Sequence, residues 1–208
     1  MKRLLALLAC LPLQALAGNQ VEERLADSIR ARLSAQVSDR APPTLHFRSA
    51  EDGNRWISAM EKRLEKRIPD RKQRLELLRT VHYEALRAKL DPQLVLGVIE
   101  VESAFRKYAV SKAGARGYMQ VMPFWIKQIG QPKHNLFHMR TNLAYGCAIL
   151  RHYIDMEDGD YFRALGRYNG SLGKPQYPNI VLAAWRGNWT YPVQTAARED
   201  RKLTASAM

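Results

Sequence analysis

The chain has 208 residues and a mass of 23.8 kDa, with 33 Lys+Arg against 20 Asp+Glu and a formal net charge of +13. At 46% hydrophobic and 25% charged residues its composition is that of an ordinary globular protein, which excludes a disordered or collagen-like chain. Only Leu4 to Ala17 is apolar enough to touch a bilayer, and it is too short to span one, so a multi-span membrane protein is excluded; two cysteines, Cys10 and Cys147, cannot build a disulfide scaffold.

Lys2 and Arg3 precede this apolar run and Ala15-Leu16-Ala17 ends it in the small-x-small pattern of a cleavage site, so residues 1–17 read as a secretory signal. The mature chain would then begin at Gly18 in the periplasm, with Cys147 as its single thiol. Pro12 argues against the same run being a buried helix. Leu7-Leu8-Ala9-Cys10 offers a second reading, a lipobox with an anchor on Cys10; against it, the run before Cys10 falls short of the usual ~7–15-residue apolar core and apolar residues continue past it.

Helical periodicity dominates the remainder and no hairpin or alternating strand series appears, so the predicted fold is all-α. A marginally amphipathic helix is expected over 21–38, ended by Ala41-Pro42-Pro43. Two charged helices follow, Ala50 to Ile68 and Asp70 to Leu90, the second with an apolar stripe at Leu75, Leu78, Val81 and Ala85; both are expected on the outside of the core. Asp91-Pro92 is a helix start, because Asp caps and Pro suits the first turn. The next helix carries Leu94, Val95, Leu96, Val98, Ile99 and Val101 around its circumference, the pattern of a central buried helix. Gly114, Gly117 and Pro123 break the following segment into loop and short helix. Thr141 or Asn142 is placed to cap a helix running to about Met156. Shorter helices are predicted over Tyr161–Tyr168 and Tyr177–Trp185, and a frayed tail after Ala196. The expected organisation is a signal at 1–17, a helical extension at 18–90, a catalytic domain at 91–190 and a tail at 191–208.

Charge is unevenly spread. From Ser103 through Ile154 there is no Asp or Glu, yet this stretch holds eight Lys/Arg, an arrangement that concentrates anionic partners on its surface. Behind a secretion signal, the carboxylates of the cell wall suit such a surface better than nucleic acid.

Two acids stand just before this stretch. Glu100 and Glu102 lie two apart on a helix and so point about 200° apart; they cannot act as a cooperating pair. Glu102 shares its strip with Val95, Val98 and Ile99, the more apolar side. Desolvation and the helix C-terminus both penalise its anion, which makes it a proton donor at neutral pH. The residues leave a second reading open, a buried ion pair from Glu102 to Arg106 or Arg116.

Glu102-Ser103, Gly114, Gly117-Tyr118-Met119-Gln120, Met122-Pro123 and Arg167-Tyr168-Asn169-Gly170-Ser171, in that order, resemble the motifs of family 1 lytic transglycosylases. The resemblance runs from about Asp91 to Trp185 and implies a lysozyme-like, goose-type catalytic domain with Glu102 as sole acid/base. It further implies that Ser103, Met119 and Gln120 line the substrate cleft and that Tyr168 and Asn169 orient the catalytic carboxyl or the sugar beside it. Tyr177 in Tyr177-Pro178-Asn179-Ile180-Val181 matches the family's later Tyr loosely, since the usual preceding Glu-Thr is absent. Tyr118 and His138 stand where the family has Leu and Asp.

The implied reaction cleaves the β-1,4 bond between N-acetylmuramic acid and N-acetylglucosamine of peptidoglycan glycan strands, giving a 1,6-anhydro product. Two rivals remain at this level: a hydrolytic muramidase on the same fold, and a non-catalytic wall-binding protein. No metal, organic cofactor or nucleic acid is expected; envelope-machinery proteins are possible partners. His134 and His138 have zinc-compatible spacing but too few companions for a site of about four ligands. Phe124, Trp125, Trp185, Trp189 and Tyr191 are candidates either for stacking on sugars or for the core. The run Lys62-Arg63-Leu64-Glu65-Lys66-Arg67 reads as a solvated helix face.

Overall fold

The computed structural model describes residues 20, 22–39 and 41–191; the signal segment, the alternative anchor at Cys10 and the tail after Ala196 lie outside them. These residues fold into eight α-helices: α1 (Asp27–Ser38), α2 (Ala50–Leu64), α3 (Arg71–Arg87), α4 (Pro92–Ser103), α5 (Phe124–Ile129), α6 (Met139–Met156), α7 (Tyr161–Asn169) and α8 (Gln176–Ala183). A π-helical turn, Ala184–Trp189, continues α8. The extended pairing among the described residues is limited to Val110 with Arg116 and Arg116 with Val121. No described helix is long and apolar enough to cross a membrane.

Local chemistry accounts for the helix starts. Ser49, Asp70, Asp91 and Asp160 each accept a first-turn backbone N–H, and Pro92 occupies a position where no N–H is needed. The predicted cap at Thr141 or Asn142 is not used. Helix α6 begins at Met139 behind His138, because Asn142 is buried within its first turns and spends its amide elsewhere. The predicted stripe of α3 shifts as well: Leu77 is fully buried with Leu78, Val81 and Ala85, whereas Leu75 is half-buried.

Helix α4 is the axis of the fold, with Leu94, Val95, Leu96, Val98 and Ile99 wholly excluded from solvent. It packs against the π-helical turn, α3 and α8, while α6 packs against α7, α1 and α3. One continuous apolar core runs from Leu25 and Leu33 of the N-terminal region through α4 and α6 to Trp189. Helices α2 and α3 therefore share the core with α4. A half-buried charge network centred on the buried Glu84 fastens the same junction: Glu84 accepts from Arg87 at 2.6 Å and Arg140 at 3.2 Å, and Asp39 accepts from Arg140 at 3.1 Å and Tyr83 at 2.7 Å. Two of the eight cations in the acid-free stretch are thereby answered from outside it, Arg140 by Glu84 and Asp39 and Arg151 by Asp155. Arg106, Lys112, Arg116, Lys127 and Lys133 remain exposed and keep that surface positive.

After Ser103 the chain turns sharply: Ala104 and Phe105 have φ of 48° and 64°, both in the left-handed region. Burial of Phe105 against Trp189, at 5.3 Å between ring centroids, holds the turn. Ala104 has no such anchor and is exposed. A left-handed residue bearing a Cβ costs about 1–2 kcal/mol, part of which glycine's greater unfolded-state entropy takes back. Ala104→Gly is thus expected to stabilise the fold by roughly 0.5–1 kcal/mol in urea unfolding, with an unchanged slope.

Candidate active site

Glu102 sits at the penultimate position of α4 with 2% of its surface exposed. Its Oε1 accepts a 2.6 Å hydrogen bond from the Tyr177 hydroxyl, and its buried Oε2 has no partner among the described residues. Burial raises its pKa to about 8, with the Tyr177 bond pulling slightly the other way by favouring the anion. No guanidinium of the described residues reaches it: Arg106 donates instead to the Ser103 carbonyl at 3.0 Å, and Arg116 lies over the Phe137 ring. The ion-pair reading of Glu102 therefore fails. Glu84 supplies the contrast, equally buried at 2% but carrying two arginines, so that burial raises its pKa while both arginines oppose the rise.

Glu100 points to the other side of α4, as helical geometry requires. It accepts from Trp189 Nε1 at 2.6 Å and from the Asn188 amide at 3.0 Å, and it pairs with Arg67. One glutamate of the helix thus clamps the π-helical turn, and the other stays available for chemistry.

Tyr177 reaches Glu102 because α8 follows the tight turn at Gly170 and lies along α4 and α7. Tyr168 and Tyr177 are both fully buried, and the Glu102 charge is among the influences that push each phenol upward after burial itself. The two tyrosines have different tasks. Tyr177 holds the carboxyl, while Tyr168 donates to the Met119 carbonyl at 2.8 Å and so fixes the facing loop. Asn169 is buried at the end of α7.

The loop itself is built on glycine and one asparagine. Gly117 has φ of +75°, and a Cβ there would lie 2.5 Å from the Asn142 amide nitrogen and 2.6 Å from the Leu136 carbonyl. Asn142 Nδ2 donates to the carbonyls of Arg116 and Leu136 at 2.8 and 2.9 Å, and its Oδ1 accepts from Met119 N–H at 2.8 Å. Gly146, one helical turn later, lets Met119 lie directly on α6; an added Cβ would fall 2.3 Å from the Met119 sulfur. Gln120 takes a left-handed φ of 47° and donates to the carbonyls of Gly117 and Ala109 at 2.9 and 3.1 Å. Ser103 is buried and donates to the Ile99 carbonyl at 3.1 Å on its own helix. The side chains of Gln120 and Ser103 thus hold backbone in place in this structure.

The structure brings Glu102 and Tyr177 into contact, and Tyr168 to Met119; Asn142 and Gly146 are supporting residues that the motif reading missed. Asn142 carries a capping signal in the sequence, and only the folded loop reveals its second use. Of the aromatic candidates, Trp125 and Trp189 are core residues bonded to Gln20 and Glu100, and Trp185 donates to Asp91. His134 bonds the Tyr145 hydroxyl at 2.7 Å and His138 precedes α6.

Tyr177→Phe is expected to lower turnover by about tenfold through loss of carboxyl orientation, on the scale of one hydrogen bond. Because the lost bond favours the anion, the alkaline limb of the pH profile should move upward rather than downward.

A buried carboxyl at a helix end, held by a tyrosine and without an ion pair among the described residues, thus lies within an all-helical domain of lysozyme-like architecture. Residues 79–178 match the family described as the transglycosylase SLT domain. A transglycosylase of Enterobacteria phage PRD1 is 33% identical over 103 residues, covering 50% of this chain and 38% of that protein. The membrane-bound lytic murein transglycosylase C of Actinobacillus pleuropneumoniae is 52% identical over 48 residues, covering 23% of this chain and 13% of its own. The protein of the same description from Histophilus somni is 41% identical over 70 residues, 29% of this chain and 19% of its own. The chain thus spans well under half the length of these relatives. The family match begins inside α3, consistent with the core that α3 shares with α4.

Proposed function

We propose that this protein cleaves the glycan strands of peptidoglycan as a lytic transglycosylase, with Glu102 acting first as acid and then as base. The observation that carries this is the setting of the Glu102 carboxyl: buried, held on one oxygen by Tyr177 and without a partner among the described residues on the other, a setting in which burial raises its pKa to about 8. A group of that kind meets the demand on a general acid, a pKa near the working pH.

In the first step the Glu102 proton passes to the oxygen bridging N-acetylmuramic acid and N-acetylglucosamine, and the C1–O bond breaks. The C6 hydroxyl of the muramoyl unit then attacks its own C1, and its proton goes to the Glu102 carboxylate. The bond formed replaces the bond broken, the acid is restored, and no water is consumed. Glycosidases that use water or a covalent intermediate need a second carboxylate, about 6.5–9.5 Å or 5–5.5 Å from the first. Among the described residues, burial and Tyr177 set the pKa of Glu102 and no neighbouring acid contributes, which fits the one-carboxylate route. Ser103, Met119, Gln120 and Asn169 belong, in this reading, to the walls against which the strand lies. The exposed cations of the acid-free stretch draw in the wall's carboxylates. Cleavage of residues 1–17 would deliver the enzyme to the periplasm, where its substrate is.

Digestion of purified peptidoglycan should release muropeptides with anhydro-muramoyl ends, each lighter by one water than the hydrolytic product. Mass spectrometry that found reducing muramoyl ends would establish a hydrolase on the same fold.

A further inference from the structure

Where the 46–48 linker, α2, α3 and the start of α4 meet, the described residues enclose a cavity of about 500 Å³. It has no residue in common with the Glu102 site; Asp91 at its edge and Glu102 are separated by about 16 Å along the axis of α4. The volume is that of a small-molecule site, which usually falls near 300–1,000 Å³. Its walls are largely apolar. Phe47 stacks on His82 at 4.3 Å between ring centroids, Trp56 meets His82 edge-on at 5.3 Å, and Tyr191 closes one side.

The polar groups of this cavity divide sharply into those already used and those left over. Asp91 accepts from Gln93 N–H at 2.7 Å and from Trp185 Nε1 at 3.1 Å. Asp52 accepts from Ser49 at 2.9 Å and Arg55 at 2.5 Å. The Gln93 carbonyl accepts from Trp56 at 3.1 Å, which leaves the Gln93 amide N–H groups as donors. His82 is 97% buried, and its Nδ1 has no hydrogen-bond partner. Arg48 at the rim makes no hydrogen bond among the described residues and senses Asp52 only through space. The carboxylates are satisfied; the spare groups a ligand can reach are a guanidinium and an amide N–H pair. A pocket with apolar walls and spare donors at its ends suits an apolar molecule with acceptors at its ends.

We propose that this cavity is a second binding site, for a small carboxylate with an aromatic or aliphatic body: the carboxylate on Arg48, the body between Phe47, Trp56 and Tyr191, and a carbonyl or hydroxyl on the Gln93 amide. Two sources share this chemistry, a free organic acid and the carboxylate end of a wall peptide.

Calorimetric titration of the full chain with 3-phenylpropionate, 3-phenylpropanamide and N-acetylmuramoyl-L-alanyl-D-isoglutamine tests it. Saturable binding of one of the two acids is expected. Its affinity should fall about fivefold or more in Arg48→Ala, the scale of one partly exposed charge contact, and stay unchanged in Glu102→Gln. The amide should bind 3-phenylpropionate's site more weakly by a similar factor. Arg48-dependent binding of the muramoyl peptide assigns the wall as source; Arg48-dependent binding of 3-phenylpropionate alone assigns a free acid. Absence of saturable binding by both acids, or binding indifferent to Arg48, overturns the proposal. Neither result bears on Glu102, because Arg48 is exposed and takes no part in the proposed cleavage.

Discussion

Glu102→Gln is expected to abolish digestion of peptidoglycan while leaving the far-ultraviolet circular dichroism of the protein intact. A general acid/base contributes roughly 10²–10⁴-fold to a single step, and here one carboxyl serves both the protonation of the leaving oxygen and the deprotonation of the attacking one. Loss of both roles puts the fall in rate at or beyond the high end of that scale. The fold should survive because glutamine has nearly the same shape and its carbonyl oxygen can still accept from Tyr177. Zymography and release of soluble muropeptides are the readouts. Full activity in a correctly folded Glu102→Gln protein would remove Glu102 from the mechanism.

The same substitution should make the protein more stable at alkaline pH, and this is the second large effect. Burial places the Glu102 pKa near 8 in the folded state against 4.5 for an ordinary glutamate. Between those values the folded state binds a proton that the unfolded state does not. Stability therefore falls as pH rises from about 4.5 to about 8, and the deficit persists above it. The span corresponds to a few kcal/mol at full ionisation, at about 1.4 kcal/mol per pKa unit. Glutamine carries no titrating proton, so the unfolding free energies of wild type and Glu102→Gln should lie closest near pH 4 and diverge towards pH 9. Urea unfolding at those two pH values measures the difference. Catalysis should follow the same ionisation: the rate falls about tenfold per pH unit beyond about 8, as the acid loses its proton before meeting substrate. Parallel stability curves for the two proteins would mean that Glu102 is ionised in the folded state at neutral pH.

Much of this site is legible along the chain. The apolar residues of α4 announce a buried helix, the Asp91-Pro92 start places Glu102 near its end, and a two-residue spacing separates Glu100 from Glu102 by helical geometry alone. What stays hidden is the use made of each polar side chain. Tyr177, in the loosest of the motif matches, is the residue that holds the carboxyl, while Tyr168, in the sharpest, holds a loop carbonyl. Asn142 reads as a helix cap and is instead the tie between α6 and the Gly117–Met119 loop. Leu75 and Leu77 both satisfy an apolar face of α3, and only packing against α4 and α6 selects Leu77.

By itself, the order of residues determined the all-helical class, the helix starts at Asp70, Asp91 and Asp160, and a carboxyl seated on an apolar strip, because these follow from local periodicity and from which side chains can satisfy free backbone N–H groups. Tertiary structure decided that Glu102 has a tyrosine rather than an arginine for a partner, and that a long N-terminal segment shares one core with the domain. A pKa depends on charges and solvent within a few ångströms. The neighbour that matters, Tyr177, arrives from α8, far along the chain, and proximity of that kind exists only once the helices have packed.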